Sequence, residues 1–255
     1  FFLYVHYIDP HAPYAPPAEY VRQFQQQRDG LLLFNERERE LGQELYDGEI
    51  RYVDDQLRAL SAELRRLGVW EDTLVVVTSD HGDEFLEHGG TGHRRTLYEE
   101  VLKLPLLLRW PAGLKSRRVS EAVGPVDLAP SLLDLAGLPP MASVVGSSLA
   151  GLARGGVQAD RAVLAELNVA PHLLSAVVQG QSKLITRRGG RRPEYFDLRS
   201  DPGEQRPLPA DTGGALSGRL RGLLDEPSSG RSNRCCFRRL MFRRRWKNSC
   251  GSWAT

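Results

Sequence analysis

Apolar residues stand at Ile50, Val53, Leu57, Leu60, Leu64 and Leu67. That spacing of 3, 4, 3, 4, 3 draws one stripe along an amphipathic helix. Gly68 follows where a helix C-cap glycine belongs. Residues 73–79 (TLVVVTS) form a continuous apolar, β-branched run, the pattern of a strand buried on both faces. Residues 1–7 (FFLYVHY) and 104–110 read the same way, the latter ended by Pro111-Ala112-Gly113. Between them, Asp9 to Pro17 is too proline-rich for helix or central strand, so it is a loop leaving the first strand. Residues 18–43 are charged and helical in parts. Asp127 can cap a short helix with Pro130 in its first turn and Gly137 ending it. From Ala162 the rhythm changes to short strand-like runs at 163–167, 176–179, 183–187 and 194–198. They are parted by turn signals such as Gly180-Gln181 and Gly189-Gly190, the pattern of an antiparallel meander.

Helix followed by buried strand predicts an α/β fold. The expectation is part of a mixed, mostly parallel sheet flanked by helices, with a small C-terminal antiparallel sheet subdomain. The boundaries predicted are 1–150 for the α/β part, 151–226 for the small subdomain and 227–255 for a tail.

Composition alters this picture in one place. Hydrophobic content of 41% and charge of 26% are those of a soluble globular protein, and no apolar run is long enough to be a transmembrane segment. The net charge of +2, however, averages two unlike pieces. Residues 227–255 carry eight Arg and Lys and no acid, leaving 26 bases against 32 acids in residues 1–226. A mildly acidic body gives no hint of nucleic-acid binding, and no nucleic acid is expected as a partner. All three cysteines (Cys235, Cys236, Cys250) also fall in the tail, which has no helical or strand period. It reads as basic and disordered, either the product of a frameshift or read-through or a basic arm for a membrane or nucleic acid. A strand pattern at residue 1, without a methionine, predicts a truncated chain with further sequence upstream.

The chemistry-bearing residues cluster after the strand at 73–79. Asp80-His81-Gly82 stands at its C-terminal end, where open α/β sheets bind ligands. Adjacent carboxylate and imidazole can both reach one ion, and glycine lets the backbone turn sharply after them. Taken alone, the same tripeptide is also read as a polar turn with Asp80 as a helix N-cap.

The wider pattern resembles the sulfatase family of the alkaline-phosphatase-like superfamily. Six blocks fall in the family's order: HYIDPHAPYAPP (6–17), YDGEIRYVDDQL (46–57), GVWEDTLVVVTSDHGDEFLEHG (68–89), GHRRTLYEEVLKLPLLLRWPAG (92–113), VDLAPSLLDLAGLP (126–139) and EYFDLRSDPGE (194–204). The resemblance implies one divalent metal held by an early Asp-Asp pair and a later Asp-Asn or Asp-His pair. Asp80 and His81 match the later pair, and the early pair has no counterpart here. Ca²⁺ is the ion the resemblance favours, with Mg²⁺, Mn²⁺ and Zn²⁺ admitted by the ligand types. His11 matches the histidine of the family's His-x-Pro loop, which contacts the sulfate ester. His93 falls where members carry a substrate-facing Lys or His, and Arg94 takes that place if the gap is drawn differently.

The nucleophile motif, Cys/Ser-x-Pro-x-Arg with its first residue oxidised to formylglycine, has no counterpart in the 255 residues. The family places it upstream of Phe1. His6 reads as a packed strand histidine, and Asp83, Glu84 and His88 as a solvated turn. The function implied is a sulfuric ester hydrolase acting on a small-molecule or glycan sulfate ester. The alternatives are a phosphodiester or phosphonate hydrolase of the same superfamily, or an inactive remnant.

Overall fold

A computed structural model describes residues 1–21, 34–157, 161–187, 192–209 and 212–225. The tail and the Gly189-Gly190 turn signal lie outside these residues. The long helix α1 runs Arg39–Arg66. Its end is a Schellman closure: Gly68 N–H donates to Arg65 O at 3.0 Å and Val69 N–H to Leu64 O at 3.1 Å. Gly68 sits at φ +70, which only glycine adopts without strain. The buried side of α1 begins before the predicted stripe, at Leu45 and Glu49, whereas Ile50 and Leu67 are exposed.

After α1 come β1 (Val75–Thr78), the short pair β2 (Glu84–Phe85) and β3 (Thr91–Gly92), a helical turn α2 (Glu99–Leu102) and β4 (Leu106–Arg109). β1 pairs with β4 antiparallel, Val77 opposite Leu107. Val75 and Val77 face the stripe residues Leu57, Leu60 and Leu64 across an apolar cleft of about 220 Å³.

Two expectations are not met within the described residues. Every ladder among the described residues is antiparallel, so these residues do not themselves form the mostly parallel sheet. Residues 1–7 join no ladder, with Phe1 and Phe2 each 85% exposed and His6 exposed rather than packed. The reason is the same for both. An apolar strand is covered only when neighbours supply backbone partners and two apolar layers, and among the described residues β1 and β4 have only each other.

Helix α3 (Leu128–Leu135) follows, then α4 (Ala150–Ala153). Asp127 is not a simple cap for α3. It is fully buried and accepts the N–H groups of Gly124 and Ser147, each at 2.9 Å, while pairing with Arg161. The chain then forms β5 (Val163–Val169), β6 (His172–Gln179), β7 (Ser182–Arg187) and β8 (Glu194–Asp197), a four-stranded antiparallel sheet in chain order. This is the predicted meander.

Alternation divides its faces. Val177 and Leu184 pack under Leu216 and Leu220 of α5 (Gly214–Asp225). Leu174, Ala176, Ile185 and Phe196 pack under Leu97, with Tyr98 and Leu102 at the margin. The sheet is thus covered on that second face by the segment running into and through α2.

Candidate active site

The first wall is the proline-rich loop. Tyr14 is fully buried and shares a cluster with Phe34, Leu45 and Phe85, its ring stacked on Phe85 at 5.7 Å. On the next turn of α1, the Glu49 carboxylate accepts Ala15 N–H at 2.7 Å and His11 N–H at 3.2 Å. Glu49 is only 2% exposed. Burial drives its carboxyl up to about 7, against the pull of the Ala15 N–H, with the Asp9 charge adding to the rise. These contacts fix the loop, and the exposed His11 ring has its Nδ1 2.6 Å from Ala12 O.

The second wall is the turn after β1. Gly82 lies against α2: its N–H donates to Val101 O at 2.9 Å, and a Cβ here would stand 2.1 Å from the Glu100 carbonyl oxygen. Glycine is required for close approach, and not for the sharp turn the sequence suggested. The Asp80 side chain is 71% exposed and accepts its neighbour's N–H, from His81, at 3.0 Å. His81 Nε2 lies 3.7 Å from Asp80 Oδ1.

The His81 ring stacks on His93 at 3.6 Å, and His11 approaches at 5.4 Å from His93 and 6.3 Å from His81. Four of the five residues singled out in the sequence therefore meet, from three separate segments. Arg94 is exposed, next to this group in the chain but without a bonded partner among the described residues.

Asp83 is the residue the sequence misassigned. It is not solvated: its side chain is 3% exposed, receives Tyr14 Oη–H at 2.6 Å, and lies 2.7 Å from His93 Nδ1. Burial pushes its carboxyl up, but the His93 and Tyr14 hydrogen bonds outweigh that and hold it below the usual range. His81, Asp83 and His93 have donor atoms within 4.8 Å of one another, a spacing a metal ion also tolerates.

Glu84 and His88 are corrected likewise. Glu84 is 1% exposed and its carboxylate accepts Gly90 N–H at 2.7 Å and Thr96 Oγ1–H at 3.1 Å, closing the β2–β3 turn. His88 stacks on Tyr98 at 3.6 Å and lies 2.7 Å from Glu100 Oε1 and 3.1 Å from Glu204 O. Burial works against the charged ring, but those two acceptors prevail and raise its pKa. Glu84, His88 and Glu100 also bring donor atoms within 4.8 Å, but each is already engaged in these contacts.

Behind them the fully buried Lys183 donates to Glu99 Oε1 at 2.9 Å and forms an ion pair with Glu204 Oε1 at 2.9 Å. Glu204 Oε2 in turn accepts Glu99 N–H at the start of α2. The turn signal at Asp201-Pro202-Gly203 gave no hint of this buried network.

Comparison with known proteins shows what the chain is similar to. The family model described as Sulfatase matches residues 1–138, and that of N-sulphoglucosamine sulphohydrolase, C-terminal, matches residues 87–215. The chain is 28% identical over 212 residues to arylsulfatase K of Bos taurus, covering 76% of this chain and 38% of that protein. It is 35% identical over 105 residues to an N-acetylglucosamine-6-O-sulfatase of Bacteroides thetaiotaomicron, covering 41% of this chain and 19% of the relative. Among solved structures, BT4656 in complex with its substrate D-glucosamine-2-N,6-O-disulfate superposes with a TM-score of 0.67 at 25% identity. That match covers 78% of this chain and 43% of the other. A phosphonate monoester hydrolase from Silicibacter pomeroyi shares the fold, with a TM-score of 0.64 at 23% identity over 83% of this chain and 44% of the other. The chain spans less than half the length of each of these proteins.

Proposed function

The chain belongs to the sulfatase family, and on that premise we propose that it forms one wall of the active site of a sulfuric ester hydrolase. The observation that carries the reading is the meeting of His11, His81 and His93 beside the open Asp80 carboxylate. Asp80 and His81 are the ligands this chain offers to one divalent cation, Ca²⁺ being the ion the family resemblance favours. Their donor atoms are 3.7 Å apart, a span one ion bridges, and among the described residues Asp80 is otherwise engaged only with the His81 N–H. A bound cation offsets the ester's charge and polarises its oxygens.

His11 and His93 face the same anion. Each ring can donate to a non-bridging oxygen or protonate the leaving oxygen. Arg94 adds positive charge at the rim. The substrate class is a sulfated glycan or smaller sulfate ester, a reading supported by the sugar sulfates named for two of the similar proteins. In a protein of the relatives' length, β1 and β4 take their place in the mixed sheet. There residues 1–150 belong to the catalytic domain and 151–226 to a C-terminal subdomain. The formylglycine-type nucleophile is not assigned to any residue of this chain.

Two measurements test this. Calorimetric titration of the 255-residue chain with Ca²⁺ should show weak binding that Asp80→Ala removes; equal binding by both sinks the metal assignment. In a protein extended to the relatives' length, His11→Ala or His93→Ala should lower kcat on an aryl sulfate by about 10²-fold. Wild-type rates in both variants, or faster turnover of an aryl phosphonate than of the sulfate, would overturn the reading.

A further inference from the structure

We propose that Asp83 is the positioning residue for His93, holding its ring as the Nδ1–H tautomer with Nε2 turned to the reacting anion. The inference rests on the reading of His93 as a substrate-facing group. It starts from a cost: a carboxylate whose side chain is 3% exposed is expensive to bury unless its oxygens are bonded. Both Asp83 oxygens have partners, and both partners are side chains of the site. Oδ1 lies 2.7 Å from His93 Nδ1, and Oδ2 accepts Tyr14 Oη–H at 2.6 Å.

An ionised carboxylate offers acceptors only, so the proton between Asp83 and His93 belongs to Nδ1. A neutral ring then has Nε2 as its lone-pair nitrogen, and a protonated ring has Nε2–H as its free donor. Either state presents one defined nitrogen outward. This is the way a second residue fixes the tautomer and aim of a working histidine.

Asp83 also discriminates between the two stacked rings. His81 Nδ1 is 4.0 Å from the same Oδ1, beyond hydrogen-bond reach, and lies 3.1 Å from Gly82 O instead, so of the two rings the carboxylate bonds that of His93. Tyr14 makes the arrangement rigid. Its ring is fixed between Phe85, stacked at 5.7 Å, and Tyr46, edge-on at 5.5 Å, so its hydroxyl pins Asp83 against rotation. Because Tyr14 follows His11 by three residues in the same loop, one carboxylate sets the positions of both histidines relative to each other.

The test is a long-range ¹H–¹⁵N correlation spectrum of the ¹⁵N-labelled 255-residue chain at a pH where the rings are neutral. The expected result is a single Nδ1–H tautomer for His93, relaxing to a mixture in Asp83→Asn, whose amide can donate as well as accept. Should Asp83→Asn not fold, the wild-type spectrum decides alone. An Nε2–H tautomer for His93 in the wild type overturns the proposal, as does an unchanged tautomer in a folded Asp83→Asn. In the protein extended to the relatives' length, Asp83→Asn should lower kcat about 10- to 100-fold with KM little changed. A His93→Ala variant with undiminished kcat would remove His93 from the reaction while leaving the tautomer result standing, so the two failures are distinguishable.

Discussion

Replacing Glu49 by Gln should flatten part of the pH–stability profile of this protein. Glu49 sits behind the His11 loop with its carboxyl raised to about 7, burial being the main cause. A raised acid favours the folded state while protonated, so its contribution is full below the unfolded value of 4.5 and is lost as pH rises to about 7. At about 1.4 kcal/mol per pH unit, the loss across that window is about 3 kcal/mol. For a chain of this size that corresponds to a fall on the order of 10 °C in Tm.

Gln keeps one acceptor for the Ala15 N–H but presents an amide to the second donor, a pH-independent cost of about 1–3 kcal/mol. Glu49→Gln should therefore be the less stable form near pH 4.5 and should close or reverse the gap by pH 7. Differential scanning fluorimetry of both proteins from pH 4 to 8 gives the difference curve, in which titrations common to the two cancel. Asp83, held below its usual range, contributes stability that is lost only as pH falls below about 4, outside this window. Parallel Tm curves for the two proteins between pH 4.5 and 7 would refute the reasoning.

Two further outcomes follow from the packing around α2. Lys183→Met should destabilise the protein by about 3–5 kcal/mol in chemical denaturation, because Glu99 and Glu204 lose their cation while remaining enclosed. Adding Glu204→Gln should recover part of that loss, and a cost below about 1 kcal/mol for Lys183→Met would show the ion pairs to be incidental. Gly82→Ala must push a methyl group against the Glu100 carbonyl, a contact of 2.1 Å. A loss of at least about 1–3 kcal/mol is expected, read from Tm, and an unchanged Tm would mean that the α2 segment is free to move away.

What the sequence disclosed and what it hid divide along sequence distance. The end of α1 at Gly68, the four strands of the meander and the position of Asp80-His81 at the end of β1 all rest on local pattern, and all are found. The burial of Asp83 and of Glu204 depends on partners far along the chain, Tyr14 in one case and Glu99 in the other, and no local pattern reports them. Glu84 hides for a different reason, its partners Gly90 and Thr96 being brought round by a turn that reads as solvated. Glu49 did carry a signal. Leu45, Glu49 and Val53 continue the helical stripe at spacings of four, and a charge on an apolar stripe marks a carboxylate with a buried task. Residues 1–7 show the opposite failure, a strand pattern that needs a neighbouring strand before it becomes one.

The Glu99–Lys183–Glu204 triad, with Leu97 seated on the sheet and Gly82 bonded to Val101, also bears on how such proteins can be cut and recombined. A linear map suggests a seam near residue 150, but the physical seam runs elsewhere. The stretch from Thr96 to Leu102 is attached through its side chains to the small sheet and through its backbone to the turn bearing Asp80 and His81. A chimera that swaps the small sheet alone would strand two acids opposite a foreign surface and loosen the turn 20 residues upstream of the graft's true footing. An exchange designed to transplant substrate preference between sulfatases should therefore carry the 96–102 stretch across with the sheet, so that strut and anchor arrive from the same parent.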